Sequence, residues 1–186
     1  MKNIFKLLAV AMICLSTQSF AQNFKFGHIN RSEVIVLMPE RDSAVAKMEK
    51  YGQELQETYQ AMEGEFRKKY EEYNQKAKDW LPAVLEAKEK ELGEIQQRLQ
   101  QFGTTAQQEL AQMEQQLMTP IIQKANDAIT KVSKANGFTY VFDLSAGSLA
   151  YFNEGVSENI MPLVRQELGI PADKQLPVQA QQGAQR

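Results

Sequence analysis

The sequence predicts a mostly helical α+β protein: a small β-sheet body, shared between copies of the chain, with a long antiparallel coiled-coil helical hairpin projecting from it. Three observations carry that expectation. Residues 39–136 are crowded with Glu, Gln, Lys, Ala, Leu and Met, all good helix formers, and only Pro82 and Pro120 interrupt the interior. Apolar residues recur through this stretch at spacings of three, four or seven, which puts one apolar stripe on each helix. Aromatic and β-branched runs occur only near the two ends of the chain, where short strands are expected.

The first stripe contains Val45, Met48, Leu55, Tyr59, Met62, Phe66, Tyr70, Tyr73, Ala77 and Trp80. The second contains Leu92, Ile95, Leu99, Phe102, Ala106, Leu110, Met113, Leu117 and Ile121. Between them Asp79-Trp80-Leu81-Pro82 is the natural turn, because proline disfavours helix at the residue before it and suits the first turn of a new helix. Folding back there makes facing residue numbers sum to about 162 and sets Phe66 against Ile95, Met62 against Leu99, Tyr59 against Phe102 and Val45 against Leu117. At 1.5 Å per residue the arms are ~60 Å and ~80 Å long. The second helix therefore overshoots the first by some four turns, and Pro120 marks the start of the overhang with an expected kink.

The body is assembled from the chain ends. Phe24 to Asn30 reads as a strand, followed by a helical turn through Ser32-Glu33-Val34-Ile35. After the helix stop Asn136-Gly137, Phe138–Leu144 and Ser148–Phe152 read as a hairpin of two strands. Ser157 is the expected cap of a last helix ending near Leu168, within which Pro162 sits awkwardly. So small a sheet has exposed edges that invite pairing with another chain. The resulting divisions are a signal peptide at 1–21, a body from 22–38 and 121–172, an arm from 39–120 turning near 80–82, and a disordered tail at 173–186.

The signal peptide rests on Lys2 and Lys6, the apolar run Leu7–Leu15, and small residues at Ser19 and Ala21 before a cut after Ala21; the run is too short to span a bilayer. Ile13 before Cys14 argues against lipid anchoring. Cleavage removes the only cysteine and leaves 19 basic and 23 acidic side chains, a formal charge of −4. The expected location is the periplasm. Mild acidity also argues against nucleic acid as a partner.

With these features in order, the chain resembles the Skp/OmpH-like family of periplasmic chaperones. The residues that carry the likeness are the opening strand leading into Val34-Ile35 and Met38-Pro39-Glu40, the long hairpin, Thr119-Pro120-Ile121-Ile122, Gly137-Phe138-Thr139-Tyr140-Val141-Phe142-Asp143, and the segment Ser157 to Leu168. The resemblance implies a homotrimer with a barrel-like shared body and three helical tentacles around a cavity that holds unfolded outer-membrane proteins without ATP. The chain departs from well-known members in charge: they are strongly basic, and this one is acidic.

No residue pattern points to catalysis, a cofactor or a metal. His28 has no neighbouring His or Cys and reads as a partly buried strand residue, and no phosphate-cradling GxxxxGK[ST] loop occurs. The expected client-binding residues lie toward the tip: Met62, Phe66, Tyr70, Tyr73, Trp80, Leu81, Leu85 and Leu92. Two helices alone cannot enclose a whole apolar stripe, and Tyr and Trp combine an apolar body with a polar end; the alternative is plain hairpin core. Arg67, Lys68, Lys69, Lys76 and Lys78 read either as a solvated mixed face or as weak steering toward acidic clients and membrane surfaces. Phe26, Ile29, Val141, Phe142, Leu149 and Tyr151 are the expected oligomer-body residues. The arm glycines Gly52, Gly64, Gly93 and Gly103 either permit close helix approach or let the arm bend. A structural reading stands beside the chaperone one: a coiled-coil scaffold or tether of the envelope.

Overall fold

A computed structural model describes residues 24–177; the expected signal peptide and the last nine residues of the expected tail lie outside them. The order is β1 (Phe26–Ile29), α1 (Arg31–Leu37), α2 (Pro39–Lys76), a 3-10 turn (Ala77–Asp79), α3 (Pro82–Ala135), β2 (Tyr140–Asp143), a 3-10 turn (Leu144–Ala146), β3 (Ser157–Asn159) and α4 (Met161–Glu167).

Prolines set the long-helix boundaries. Met38 and Leu81, each preceding a proline, are extended with ψ of 132° and 149°, because the ring clashes with a helical predecessor. Each proline then opens a helix, where its missing N–H costs nothing. Asn30 caps α1: its Oδ1 accepts from the Glu33 N–H at 3.2 Å while its Nδ2 donates to Glu33 Oε1 at 2.8 Å. At the far end of α3, Gly137 has φ of +69°. Phe138 N–H donates to Ser133 O at 3.0 Å and Gly137 N–H to Lys134 O at 3.3 Å, the paired bonds that close a helix through a left-handed residue.

α2 (38 residues) and α3 (54 residues) lie side by side, and their contacts fix the register. Tyr51 meets Glu109, Tyr59 meets Phe102, Lys69 meets Glu91 and Tyr73 meets Glu89. These pairs sum to 160–162. α3 continues as helix through Pro120, and its overhang buries Ile121, Ala125, Ala128 and Val132.

The sheet corrects the sequence reading. β1 is central and both neighbours run parallel to it, in the order β2-β1-β3. The expected hairpin partner, 148–152, is not a strand. The Asp143 carboxylate accepts from the Ser145 N–H at 2.9 Å and the Ser145 hydroxyl at 2.6 Å, curling the chain into a 3-10 turn that ends at left-handed Gly147. Residues 144–156 then form the long return that a parallel neighbour requires, and Ser157–Asn159 pairs with Phe26–His28. Ser157 is thus a strand residue rather than a helix cap. Asn159 Oδ1 accepts from the Met161 N–H at 2.9 Å at the start of α4, and Pro162 sits comfortably in that helix's first turn.

One face of the sheet carries Phe26, Tyr140 and Phe142, with ring centroids 6.2–6.4 Å apart. The other face meets the helices. A Cβ at Gly27 would lie 3.0–3.1 Å from Phe138 and Ile160, so any larger residue would have to push those side chains aside. That core includes Ile29, Val34, Met38, Ile160 and Val164, each no more than 2% exposed. Part of the expected tail also packs here: Lys174 pairs with Asp42 at 2.7 Å, Arg165 Nη2 donates to Lys174 O at 2.9 Å, and Leu176 touches the core.

Candidate functional site: the distal arm

Along the arm beyond its root, only Ile95 and Leu99 are buried among the described residues. Two helices shield a single seam, and every other apolar position keeps a solvent-facing side.

Toward the tip, Phe66 is half-buried and stacks on Tyr70 at 5.9 Å and 15°; Tyr70 is 48% exposed. Tyr73 meets Trp80 edge-on at 6.0 Å and donates its hydroxyl to Glu89 Oε1 at 2.7 Å. That bond to a carboxylate pushes the Tyr73 hydroxyl above its ordinary pKa. Trp80, Met62, Leu85 and Leu92 are half-buried, and Leu81 is 73% exposed. The structure therefore brings together Tyr73, Trp80 and Leu81 at the tip and Phe66 with Tyr70 farther in. Val84, 40% exposed on the first turn of α3, adds to the tip surface. Its position two residues after Pro82 was the available signal for it.

The basic residues divide into two sets. Lys69 pairs with Glu91, which Lys88 also contacts at 3.2 Å. The hydrogen bonds from Lys69, then Lys88, hold the Glu91 carboxyl below its usual range, while Glu91 raises Lys69. Lys76 pairs with Glu72 at 3.1 Å and lowers it, and Arg67 lies 3.9 Å from Glu63. Among the described residues, Lys68 and Lys78 have no ion-pair partner. Most local positive charge is thus answered within the arm.

The body residues singled out from sequence also separate. Ile29 is 2% exposed and Val141 packs against the same core, so both lie in the interior of the single chain. Phe26 and Phe142 are half-buried on the opposite face, Leu149 is half-buried, and Tyr151 is 81% exposed. His28 contacts Ser157 Oγ at 3.0 Å through Nδ1 and lies 4.8 Å from the Phe152 ring. This is the environment of a strand residue held by a hydroxyl and an aromatic ring. No group of three or more His, Cys, Asp or Glu able to hold a metal occurs among the described residues.

A small sheet body carrying a long two-helix arm with aromatic side chains toward its tip defines a hairpin-bearing α+β protein. The chain belongs to the OmpH-like family, described as "Outer membrane protein (OmpH-like)", which it matches over residues 25–168. It is similar to Chaperone protein Skp of Vibrio cholerae serotype O1, with 22% identity over 169 residues that cover 89% of this chain and the whole of that protein.

Proposed function

We propose that the chain is an ATP-independent periplasmic holdase: a homotrimer that keeps unfolded outer-membrane proteins from aggregating in a cavity between its arms. The observation that carries this is the apolar surface left open along the outer arm: Leu81 and Val84 at the tip, where Trp80 packs on Tyr73, and Tyr70 farther in. An extended chain gains apolar contact there at little conformational cost to the arm. The likeness to a protein named a chaperone supports the same reading. Contacts that are individually weak become useful when three arms present them together. With most basic side chains already paired, apolar contact supplies most of the hold, and Lys68 and Lys78 add weak steering toward acidic clients or membrane surfaces.

The test is a titration of purified mature protein against a urea-denatured outer-membrane barrel protein diluted into buffer. Aggregation should fall to baseline near one trimer per client. Unchanged light scattering across the titration would overturn the reading, and capture of a folded envelope protein instead would favour a tether. Replacing Tyr70, Tyr73 and Trp80 together by serine should weaken client capture and leave the oligomer's mass unchanged.

A further inference from the structure

Resting on the holdase reading, we propose that a groove midway along the arm receives one aromatic or branched aliphatic side chain of the extended client. The groove lies between α2 and α3, has a volume of about 340 Å³, and is lined by Gly52, Leu55, Tyr59, Phe102, Gly103 and Ala106.

The gap has a sequence cause. Among the residues lining it, Gly52 and Gly103 contribute no side chain and Ala106 only a methyl. The glycines do not serve close helix approach. A Cβ on Gly103 would meet nothing within 4 Å, and one on Gly52 would meet only Leu110 Cδ2 at 4.0 Å. Gly64 and Gly93 also have free space around them, but both are exposed, while Gly52 and Gly103 are half-buried. Glycine is among the poorest residues inside a helix, and at these two positions the structure sets an open groove against that penalty.

The lining chooses the occupant. Tyr59 and Phe102, with centroids 6.5 Å apart and planes tilted by 30°, form an aromatic wall on which a ring can pack edge-to-face or offset. Gln56 and Gln107 stand at the rim, exposed, and their amides can both donate to and accept from the peptide groups of an extended chain. From residue 99 to residue 123 α3 carries no basic residue and only two acidic ones, Glu109 and Glu114. Glu109 accepts the Tyr51 hydroxyl at 2.5 Å. α2 carries Glu54 and Glu57 alongside, but every residue lining the groove is uncharged, so the site suits an uncharged side chain on a polypeptide.

The glycines also supply the test, made on the full mature protein with the denatured barrel client. Gly103→Leu fills the groove from a position with room and replaces a poor helix former, so its thermal midpoint should rise while client affinity falls about 3-fold to 10-fold. Gly93→Leu should raise the midpoint and leave affinity unchanged. A Gly103→Leu protein that binds like the unmodified chain overturns the groove. Equal loss in both variants also overturns it, since affinity would then follow arm stiffness. Should Gly103→Leu fail to fold, a photo-crosslinking residue at Gln107 decides: crosslinks at apolar client residues support the groove, and crosslinks spread over charged segments sink it. Failure of the unmodified protein to hold client removes the holdase reading as well, whereas capture that survives a filled groove removes only the groove.

Discussion

The body and the arm are built from the same chain with opposite ratios of inside to outside. The body closes a cluster of twelve buried apolar residues drawn from β1, both short helices, the arm's root and the α3 overhang. The arm has more residues than the body, yet among the described residues it buries only Ile95 and Leu99 beyond its root. A body side chain is therefore held from several directions, and an arm side chain from one. Stability resides in the first region, and exposed apolar contact is available in the second.

Mutations should expose that division. Ile160→Ala, in the body, removes a fully buried side chain from between the sheet and helices and should cost about 3 kcal/mol, measured by chemical denaturation of the whole protein. Ile95→Ala, equally buried but on the arm, should cost about 2 kcal/mol, since two helices can settle toward each other. Hydrogen exchange should show its loss confined to the arm. Loss of protection in β1 as well would mean the two regions unfold as one.

Acid should discriminate between them too. Burial pushes the Asp143 carboxyl up, but hydrogen bonds from Ser145 and Arg31 and the Arg31 charge outweigh it, leaving the pKa below its ordinary 3.8. A lowered folded-state value means the stabilisation is present above pH 3.8 and is lost as pH falls through the folded value. Asp143→Asn should cost about 1 kcal/mol near neutral pH and flatten the acid limb of a stability–pH curve. The smallest effect belongs to the arm surface. Lys76→Ala breaks an exposed pair with Glu72 and should shift the denaturation midpoint least of these four, and less still in high salt.

The arm was legible in the sequence because its contacts follow a local rule. The apolar spacing and Pro82 give the turn, and the turn gives the register within about two residues of the Tyr51–Glu109 and Tyr73–Glu89 contacts. The sheet was not, because its pairing joins residues more than a hundred positions apart. The third strand, Ser157-Glu158-Asn159, has no strand-forming side chains. Its place is set by backbone pairing with Phe26–His28 and by the Ser157–His28 contact. The aromatic pair Tyr151-Phe152 drew the strand assignment instead, although Phe152 packs on His28 from outside the sheet. At the site, the exposed Tyr70 and Leu81 followed from the thinness of a two-helix arm, whereas the mid-arm groove depends on which gaps the glycines leave, and that needs coordinates.

One consequence follows from the continuity of α3. The same helix is buried in the body at Ile121–Val132 and free at Pro82, with ~58 Å of rigid rod between Pro82 and Ile121 at 1.5 Å per residue. It acts as a lever with its short end clamped in the core. A rotation of about 5° at the root would sweep the tip by about 5 Å over that length, so small adjustments around Ile121 are magnified at Leu81 into displacements the size of an amino-acid side chain.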